Sequence, residues 1–472
     1  MKLNPSQYLL GQKENCKEII ARLSKEFSYV SILGTDVDGA DYLVTTTKSS
    51  IGPCSDQERG FVLRVFQDTG VSEYSFNDMD VDKVVARVRE IALEDRKRFL
   101  SKGYLPYAHA PKDEPATVYS LGEVKNLPEN DDAGKILSAL KQAHDGAIDR
   151  HEEVKFLRLF LSVTQINKMF LSVHRDLYQS YCYANGAAIA LAEKDEKTKS
   201  EYKGISLLGG SELLDTLVKE VPGVCDRAVE LLSAERMVPG EYDILCDPDF
   251  TGLIAHEAFG HGTEMDMFVK HRAKGEEYLN KRVASDRLVM HDGATAIDEV
   301  SSYAFDDEGN LGSDTVIIRN GIFKNGMCDA LSAIQLGVEP TGNGKRESYK
   351  RKAYTRMTNT FFEGGTDSLE DMIASIKHGY LLEGLESGME DPKNWGIQCV
   401  AAKAREIKDG AFTGKICSPV YLTGYVPDLL ESISMISPEV EMSGTGYCGK
   451  GWKEWVKTST GGAYIKAKGM LS

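Results

Sequence analysis

The spacing of hydrophobic positions along the first half of the chain predicts a mixture of helices and short strands. Apolar residues recur at helical intervals over residues 81–100, and Asp80 precedes them where an N-cap belongs. Helical spacing also marks residues 16–27, 132–148 and 211–233. Between the predicted helices at 16–27 and 81–100, short β-branched and aromatic runs alternate with turn residues, which is typical of antiparallel strands. The pattern therefore predicts helices packed on sheets.

Breaks in this pattern divide the chain into three predicted domains. Residues 110–115 contain two prolines and three charges, which favour a linker, and Pro239-Gly240 interrupts the chain after the fourth helix. A length of 472 residues also suits two or three domains. We expect an N-terminal α+β domain (1–112), a middle α+β domain (113–236) and a β-rich C-terminal domain (237–472). The predicted fold class is α+β.

Composition and charge exclude several classes of protein. A hydrophobic fraction of 42% with 27% charged residues is typical of a globular chain. The formal charge of -16 opposes binding to a phosphate backbone, so nucleic acid is not an expected partner. The chain has no run of about 18 apolar residues, so no membrane span is predicted. The chain has nine cysteines with no Cys-x-x-Cys pair, and its first residues do not resemble a signal peptide, so we expect a cytoplasmic location.

The strongest chemical signal is the run from His256 to His261, His-Glu-Ala-Phe-Gly-His. Two imidazoles beside a carboxylate predict a metal site, and Asp247 followed by Pro248 predicts that a helix begins shortly before them. The histidines are one residue further apart than in the HExxH zinc motif, so a regular helix would place them about 140° apart. We expect a π-bulge or an unwound turn at Gly260 to bring the two rings together.

A catalytic zinc usually has three protein ligands and one position open to water, so the histidine pair needs a partner. The residues leave five candidates open: Cys448, Glu264, Asp266, His271 and His291. Cys448 lies in a glycine-rich segment where the backbone can turn sharply and approach another group closely. The alternative interpretation is a pair of ordinary histidines and a buried cysteine in a turn.

Several segments in sequence order resemble the TldD/PmbA family of metallopeptidases, and specifically its metal-bearing, TldD-like branch. The run HEAFGHGTEMD is similar to the family's HEAxGHxxExD helix, and residues 447–450, Tyr-Cys-Gly-Lys, are similar to its late CGK segment. Together with three further matching segments the resemblance covers most of residues 240–470. Those segments are 305–310, 342–348 and 356–360.

The resemblance implies a zinc-dependent peptidase that hydrolyses unfolded or short peptides. His256, His261 and Cys448 would hold one zinc ion per chain, with another divalent metal as the alternative, and Glu257 would act as general base on the attacking water. Family members pair, often an active subunit with a related one lacking the ligands, so a homodimer or heterodimer is expected. Residues 451–453, Gly-Trp-Lys, depart from the family's CGKxGQ pattern and affect the expected substrate contacts, not the ligands.

Three further residues are candidates for substrate binding. The guanidinium groups of Arg346 and Arg356 present paired donors that suit a peptide carboxylate or carbonyl. Asn359 lies among strand-prone residues, where an extended peptide could add to a sheet edge. Two other functions stay open: a noncatalytic peptide-binding or regulatory protein with a structural metal, and a hydrolase of small amides. Structural zinc normally has four protein ligands, so three good candidates favour a catalytic site.

Overall fold

The computed structural model describes residues 1–68, 70–102, 106–451 and 453–472. The described part of the N-terminal half contains four α-helices and eight strands. In chain order these are α1 (Gln7–Leu23), β1 (Tyr29–Thr45), β2 (Ser49–Pro53), β3 (Glu58–Gln67), β4 (Gly70–Phe76), α2 (Val81–Lys102), β5 (Ala116–Leu121), α3 (Ala133–Ile148), β6 (Val154–Ser172), β7 (Arg175–Lys194), β8 (Lys197–Leu207) and α4 (Leu213–Glu230).

Side-chain caps explain where these helices begin. Asp80 and Asp132 each accept a hydrogen bond from a backbone N–H of the following turn, so α2 and α3 begin as the sequence predicts. Helix α1 begins at Gln7, well before the predicted residue 16. Its cap is Ser6, whose side chain accepts from the N–H of Leu9. Residues 11–15, Gly-Gln-Lys-Glu-Asn, interrupt the hydrophobic spacing before residue 16.

All eight strands of this half belong to one sheet. Its order is β4-β3-β1-β6-β7-β5, with β2 paired to β1 and β8 paired to β7. Strand β1 pairs with β6 from Ser31 opposite Ser172 to Thr45 opposite Arg158. The predicted boundary near residue 112 therefore falls between strands of a single sheet, because partners distant in sequence pair across it. The division into domains stays a prediction.

Successive residues of the central strands face opposite sides of this sheet. Ile32 packs in the core formed with α1 and α2, whereas the next residue, Leu33, packs with Phe170 and with Phe305 of the C-terminal half. Helices α3 and α4 share a core with the odd-numbered residues of β6, such as Leu159 and Leu161. The four helices thus cover one face of the sheet, and the C-terminal half contacts the other.

The C-terminal half contains most of the short strands. In chain order its elements are β9 (Gly240–Cys246), α5 (Pro248–Ile254), β10 (Met290–Asp292), β11 (Thr315–Arg319), β12 (Ile322–Phe323), α6 (Ala330–Leu336), β13 (Gly344–Lys345), β14 (Tyr354–Thr355), β15 (Asn359–Phe362), α7 (Leu369–Ala374), β16 (His378–Asp391), β17 (Gly396–Lys408), β18 (Ala411–Cys417), β19 (Val420–Tyr425), α8 (Val426–Glu431), β20 (Met435–Ile436), β21 (Glu441–Ser443), β22 (Tyr447–Cys448), β23 (Val456–Lys457), β24 (Ser459–Gly462) and β25 (Ile465–Leu471). The predicted α+β class with a β-rich C-terminal part is confirmed.

Five of these strands close into a barrel. Strand β9 pairs with β16 and β25, β25 pairs with β19, and β17 joins β19 back to β16. A second sheet has the order β12-β11-β10-β15-β24-β21. Helix α5 packs against β16 of the barrel and β24 of the second sheet, with Phe250 and Ile254 fully buried. The helix predicted to carry the metal ligands is therefore held between two sheets.

Buried ion pairs join the two halves of the chain. Arg64 contacts Glu308 at 2.6 Å, and Lys168 pairs with Asp307. Burying charges is costly unless they are paired, so these contacts fix how the N-terminal sheet lies on the C-terminal half. Among the helices described, none has the length and apolar character needed to cross a membrane.

Candidate metal centre

The helix that carries the histidine pair changes its geometry at the pair. The carboxylate of Asp247 accepts from the N–H of Phe250 at 2.7 Å and caps α5. The helix continues as a π-helix over Ala255–Gly260 and ends in a 3-10 turn over His261–Thr263. Within it, the N–H of His261 donates to the carbonyl of His256, five residues earlier. The predicted distortion before His261 is confirmed.

The π-turn brings the two imidazoles side by side. The ring centroids of His256 and His261 are 5.0 Å apart and the rings are nearly perpendicular, at 88°. The absence of a side chain at Gly260 lets Met357 pack against the turn, because a Cβ atom there would lie 2.4 Å from Sδ of Met357. Close packing thus explains the glycine between the histidines.

Cys448 reaches the pair from the other end of the C-terminal half. It lies on β22, which forms a two-stranded hairpin with β23, and its Sγ is 3.2 Å from Nε2 of His256 and 3.4 Å from Nε2 of His261. The three donor atoms lie within 4.8 Å of one another. Around a tetrahedral zinc, bond lengths of about 2.3 Å to sulfur and 2.0–2.1 Å to nitrogen separate the two atoms by about 3.6 Å. The donors are therefore spaced to bind one such ion.

The charges of the three side chains favour a thiolate. Burial opposes ionisation of Cys448, but the rings of His261 and His256 hold the pKa of its thiol well below the usual value. Burial also opposes protonation of the imidazoles, and the Cys448 sulfur raises the pKa of both. A thiolate is the form of cysteine that binds metals, so this arrangement provides the soft donor that zinc prefers.

A carboxylate lies behind the ring of His261. Oε2 of Glu264 lies 3.6 Å from Nδ1 of His261, the nitrogen that does not face Cys448. The same carboxylate contacts Lys450 at 2.9 Å and Arg356 at 3.4 Å. Burial opposes its ionisation, but Lys450, His261 and Arg356 lower the pKa of Glu264. A carboxylate that accepts from the second nitrogen of a metal-binding histidine orients the ring and raises its basicity.

Glu257 lies beside the three donors but forms no hydrogen bond or ion pair with any of them. Its side chain packs against β16, where a Cβ atom at Gly388 would lie 2.4 Å from Cγ of Glu257. Nothing in the described part of the chain donates a hydrogen bond to its carboxylate or forms an ion pair with it. Its oxygen atoms are therefore available to accept a hydrogen bond from a bound molecule.

Three other candidate ligands, His271, His291 and Asp266, contact side chains other than the histidine pair. His271 is largely exposed and contacts Glu276 at 3.0 Å, and His291 contacts Asp314 at 2.7 Å. Asp266 accepts from Lys450 and Lys270. Of the five alternatives that the sequence leaves open, the structure brings Cys448 to the histidine pair.

The three predicted substrate-binding residues are engaged within the chain. Arg356 is fully buried and donates to the carbonyl of Cys448 at 2.7 Å, so it supports the hairpin that carries the sulfur. The amide of Asn359 donates to Ser302 and to two carbonyl oxygens. Arg346 pairs with Glu73 of the N-terminal sheet. Their role in substrate binding stays a prediction; of the three, Arg356 contacts the backbone of a donor residue.

Two residues near the site had no role assigned from the sequence. Lys450 belongs to the segment 447–450 that resembles the family, and its ammonium bridges Glu264 and Asp266. Glu390 lies against Gly262, and burial, followed by the charges of Glu257 and Glu264, raises the pKa of its carboxyl well above the usual value although His261 opposes this. No local pattern marks Glu390, because strand β16 brings it to the site from a distance. Of the three residues that depart from the family's CGKxGQ pattern, 451–453, residue 452 lies outside the described residues.

The sequence of the C-terminal half matches a known family model. Residues 239–471 match the model described as the PmbA/TldA metallopeptidase C-terminal domain. A metalloprotease of Methanocaldococcus jannaschii is 33% identical over 247 residues, which are 52% of this chain and 54% of that protein. A metalloprotease TldD homolog of Buchnera aphidicola is 34% identical over 46% of this chain and 45% of that protein. The aligned part of the chain thus spans about half the length of these two relatives.

A longer alignment and two solved structures extend the likeness. A zinc metalloprotease TldD homolog of Saccharolobus solfataricus is 28% identical over 68% of this chain and 76% of that protein. A putative modulator of a DNA gyrase from Thermotoga maritima has a TM-score of 0.78 at 16% identity and covers 98% of this chain and 100% of that one. TldE from Thermococcus kodakarensis has a TM-score of 0.71 at 19% identity, over 97% and 99% of the two chains. At these identities the structures show a common fold.

Proposed function

Through residues 239–471 the chain belongs to the PmbA/TldD family of metallopeptidases, and on this premise we propose that it hydrolyses peptide bonds with a metal ion held by His256, His261 and Cys448. One observation carries the proposal. Two imidazoles from one π-turn and a sulfur 187 residues further along the chain converge with their donor atoms facing one another. Three protein donors leave a tetrahedral ion one position for solvent or substrate.

The donor set fits zinc. One thiolate and two imidazoles are ligands that zinc accepts, and a four-ligand structural site would need a further donor that the described residues do not bring to this cluster. The Nδ1 atom of His256 is buried without a hydrogen-bond partner among the described residues, and Nδ1 of His261 faces Glu264. In both rings the Nε2 atom is the one directed at the sulfur. We propose one zinc ion per chain; a TldD relative is also named a zinc metalloprotease.

In this proposal Glu257 moves the proton. When bound, the ion supplies a Lewis acid that polarises the scissile carbonyl and acidifies water. The Glu257 carboxylate accepts a proton from the attacking water and donates it to the nitrogen of the leaving amine as the carbon–nitrogen bond breaks. Its position beside His256 and against Gly388 keeps it next to the donors. Glu264 and Lys450 hold the ring of His261 in place.

The proposed substrates are unfolded or short peptides, and the proposed assembly is a dimer with an identical or related subunit. The support for both is the resemblance to the family in which such pairs occur. Native mass spectrometry of the purified chain, alone and mixed with a related subunit, measures the assembly. A chain that stays monomeric in both samples would contradict this part of the proposal.

Replacing Glu257 with Gln tests the catalytic proposal. Glu257→Gln keeps the shape of the side chain but removes the proton acceptor, so we expect hydrolysis to fall by about 10²- to 10⁴-fold. Metal content, measured by inductively coupled plasma mass spectrometry, should stay at the parental level. Cleavage of a fluorogenic unstructured peptide measures the rate. The matched control is Glu276→Gln, a glutamate that contacts the exposed His271 and should change neither quantity. An E257Q protein that cleaves at the parental rate would overturn the role of Glu257.

A further inference from the structure

A polar cavity lies between the N-terminal sheet and the C-terminal half. Its volume is about 170 Å³, which is room for several water molecules or a small organic group. Its lining includes Asp56 and Tyr183 from the N-terminal half and Lys345, Tyr447 and Lys457 from the C-terminal half. The three donors of the metal centre are not among the described residues that line it. The cavity is thus distinct from that centre.

The hairpin of β22 and β23 carries residues of both sites: Tyr447, Val456 and Lys457 line the cavity, and Cys448 is a donor of the metal centre. Tyr447 pairs with Lys457, and Cys448 pairs with Val456. Because successive strand residues point to opposite faces, Tyr447 and Lys457 lie on one side of the hairpin and Cys448 on the other. The cavity and the metal centre are therefore adjacent, because one hairpin contributes residues to each.

The ammonium of Lys457 faces the cavity without a counterion. Its Nζ atom is buried and has no hydrogen-bond partner among the described residues, and no described carboxylate lies within ion-pair distance of it. It lies 4.4 Å from the ring centroid of Tyr447 and 5.6 Å from that of Tyr183. A buried ammonium costs much free energy unless an anion pairs with it. Lys457 therefore has donors available to a bound anion.

The neighbouring charged groups are already engaged. Asp56 accepts from the hydroxyls of Tyr447 at 2.5 Å and Tyr183 at 3.2 Å. The ammonium of Lys345 donates to Ser301, to the carbonyl of Met357 and to the carbonyl of Lys457, which uses its three donors. Asp56 thus uses its hydrogen bonds on the two tyrosines, and Lys345 adds a second positive charge near Lys457.

We propose that this cavity is a carboxylate-binding site, in which the Lys457 ammonium pairs with the carboxylate of a small ligand and the rings of Tyr183 and Tyr447 enclose its carbon skeleton. Aromatic faces suit both the cation and an apolar ligand stem. In the free protein burial lowers the pKa of Lys457 to about 7; Asp56 and Glu299 oppose this and Lys345 adds to it. A bound carboxylate supplies the missing negative charge.

The carboxylate has two possible sources. One is the peptide substrate itself, through its C-terminus or an acidic side chain, and this source rests on the proposed peptidase function. The other is a free small carboxylate that binds on its own. Binding of an isolated carboxylate is common to both and does not depend on hydrolysis.

Calorimetric titration of the full-length, metal-loaded protein with N-acetylglycine at pH 6 tests the site, with N-acetylglycinamide as the uncharged analogue. We expect the parental protein to bind the carboxylate at least tenfold more tightly than the amide. Lys457→Met should lose that preference, and Lys457→Arg should keep it. The matched control is Lys453→Met, which removes an exposed ammonium next to the hairpin and should bind like the parent. A carboxylate held only at the metal would still bind to K457M, and that result would overturn the proposal.

If K457M fails to fold, judged from its circular dichroism and thermal midpoint, the parental protein and K457R still decide, because equal affinity for carboxylate and amide in both would also overturn the proposal. Cleavage of a peptide with a free or an amidated C-terminus separates the sources. A KM that rises in K457R or K457M only for the free carboxylate assigns the site to the substrate. Unchanged KM values with retained calorimetric binding assign it to a free ligand. Binding without any hydrolysis by the parental protein would contradict the peptidase proposal and leave the cavity site standing.

Discussion

Two buried polar clusters lie side by side in the C-terminal half, and they differ in how their atoms are used. At the metal centre, the donor atoms of His256, His261 and Cys448 face one another. In the neighbouring network, Asp292 accepts from Asn343 and from two threonines, and Asn359 uses its amide on the chain itself. Both clusters contain residue types that suggest function in a sequence. The difference is that the candidate metal centre keeps its donor atoms directed at a common point, whereas the hydrogen bonds of the Asp292 network are made within the chain.

The largest difference should come from Cys448→Ser. A serine hydroxyl is a far poorer zinc ligand than a thiolate, so we expect most of the metal to be lost and peptide hydrolysis to fall below detection. Metal analysis and the fluorogenic peptide assay measure the two effects. Cys225→Ser, at a buried cysteine of α4, is the control and should retain its metal. Full metal occupancy in C448S would mean that another residue supplies the third ligand.

Arg356→Ala should destabilise the fold around the metal centre, because its side chain joins two segments there. This guanidinium is fully buried and holds Glu264 and the carbonyl of Cys448, so its removal leaves a buried carboxylate short of a partner. We expect a loss of about 3–5 kcal/mol in the free energy of unfolding. Urea denaturation measures it. Arg351→Ala removes a half-exposed ion pair with Glu347 and should cost less than about 1 kcal/mol. A loss as small for R356A would contradict a structural role.

Glu264→Gln lies between the two clusters and should weaken metal binding by about 10- to 100-fold, because the ring of His261 loses an orienting carboxylate. Competition with a zinc chelator measures the affinity. Asp314→Asn removes a similar carboxylate from His291, outside the centre, and should leave the affinity unchanged. Equal affinities in E264Q and the parent would show that Glu264 only pairs with its cations.

Gly260→Ala should have the smallest effect, a loss of about 1 kcal/mol in the free energy of unfolding. The added methyl group would meet the flexible side chain of Met357, which can move aside at modest cost. Because the π-turn places His261, we also expect weaker zinc binding, measured by the same chelator competition. Unchanged stability and affinity would indicate that Met357 absorbs the methyl group without moving the turn.

Local patterns predicted much of the fold. Asp80, Asp132 and Asp247 cap helices where the sequence indicates, because a cap is a property of a few neighbouring residues. The pairing of β1 with β6 was not predictable in this way, since a strand's sequence does not name its partner. That pairing is why one sheet extends across residue 112.

The site divides along the same line. The five-residue spacing of His256 and His261 was enough to predict a distorted helix, because side-chain direction follows from helical geometry. The convergence of Cys448 on the pair depended on the family resemblance, and Glu390 carried no signal at all. The bonds that Arg356 and Asn359 make within the chain could not be read from the sequence, which does not show which donors the fold already uses.

The π-turn between the histidines can be understood as one residue accommodated inside an otherwise ordinary helix. Deleting Ala258 would leave the imidazoles four positions apart, the interval at which a regular helix already aligns side chains on one face. The widened turn absorbs the surplus residue, so this chain and zinc proteins of the shorter spacing present an equivalent pair of rings from backbones of different length.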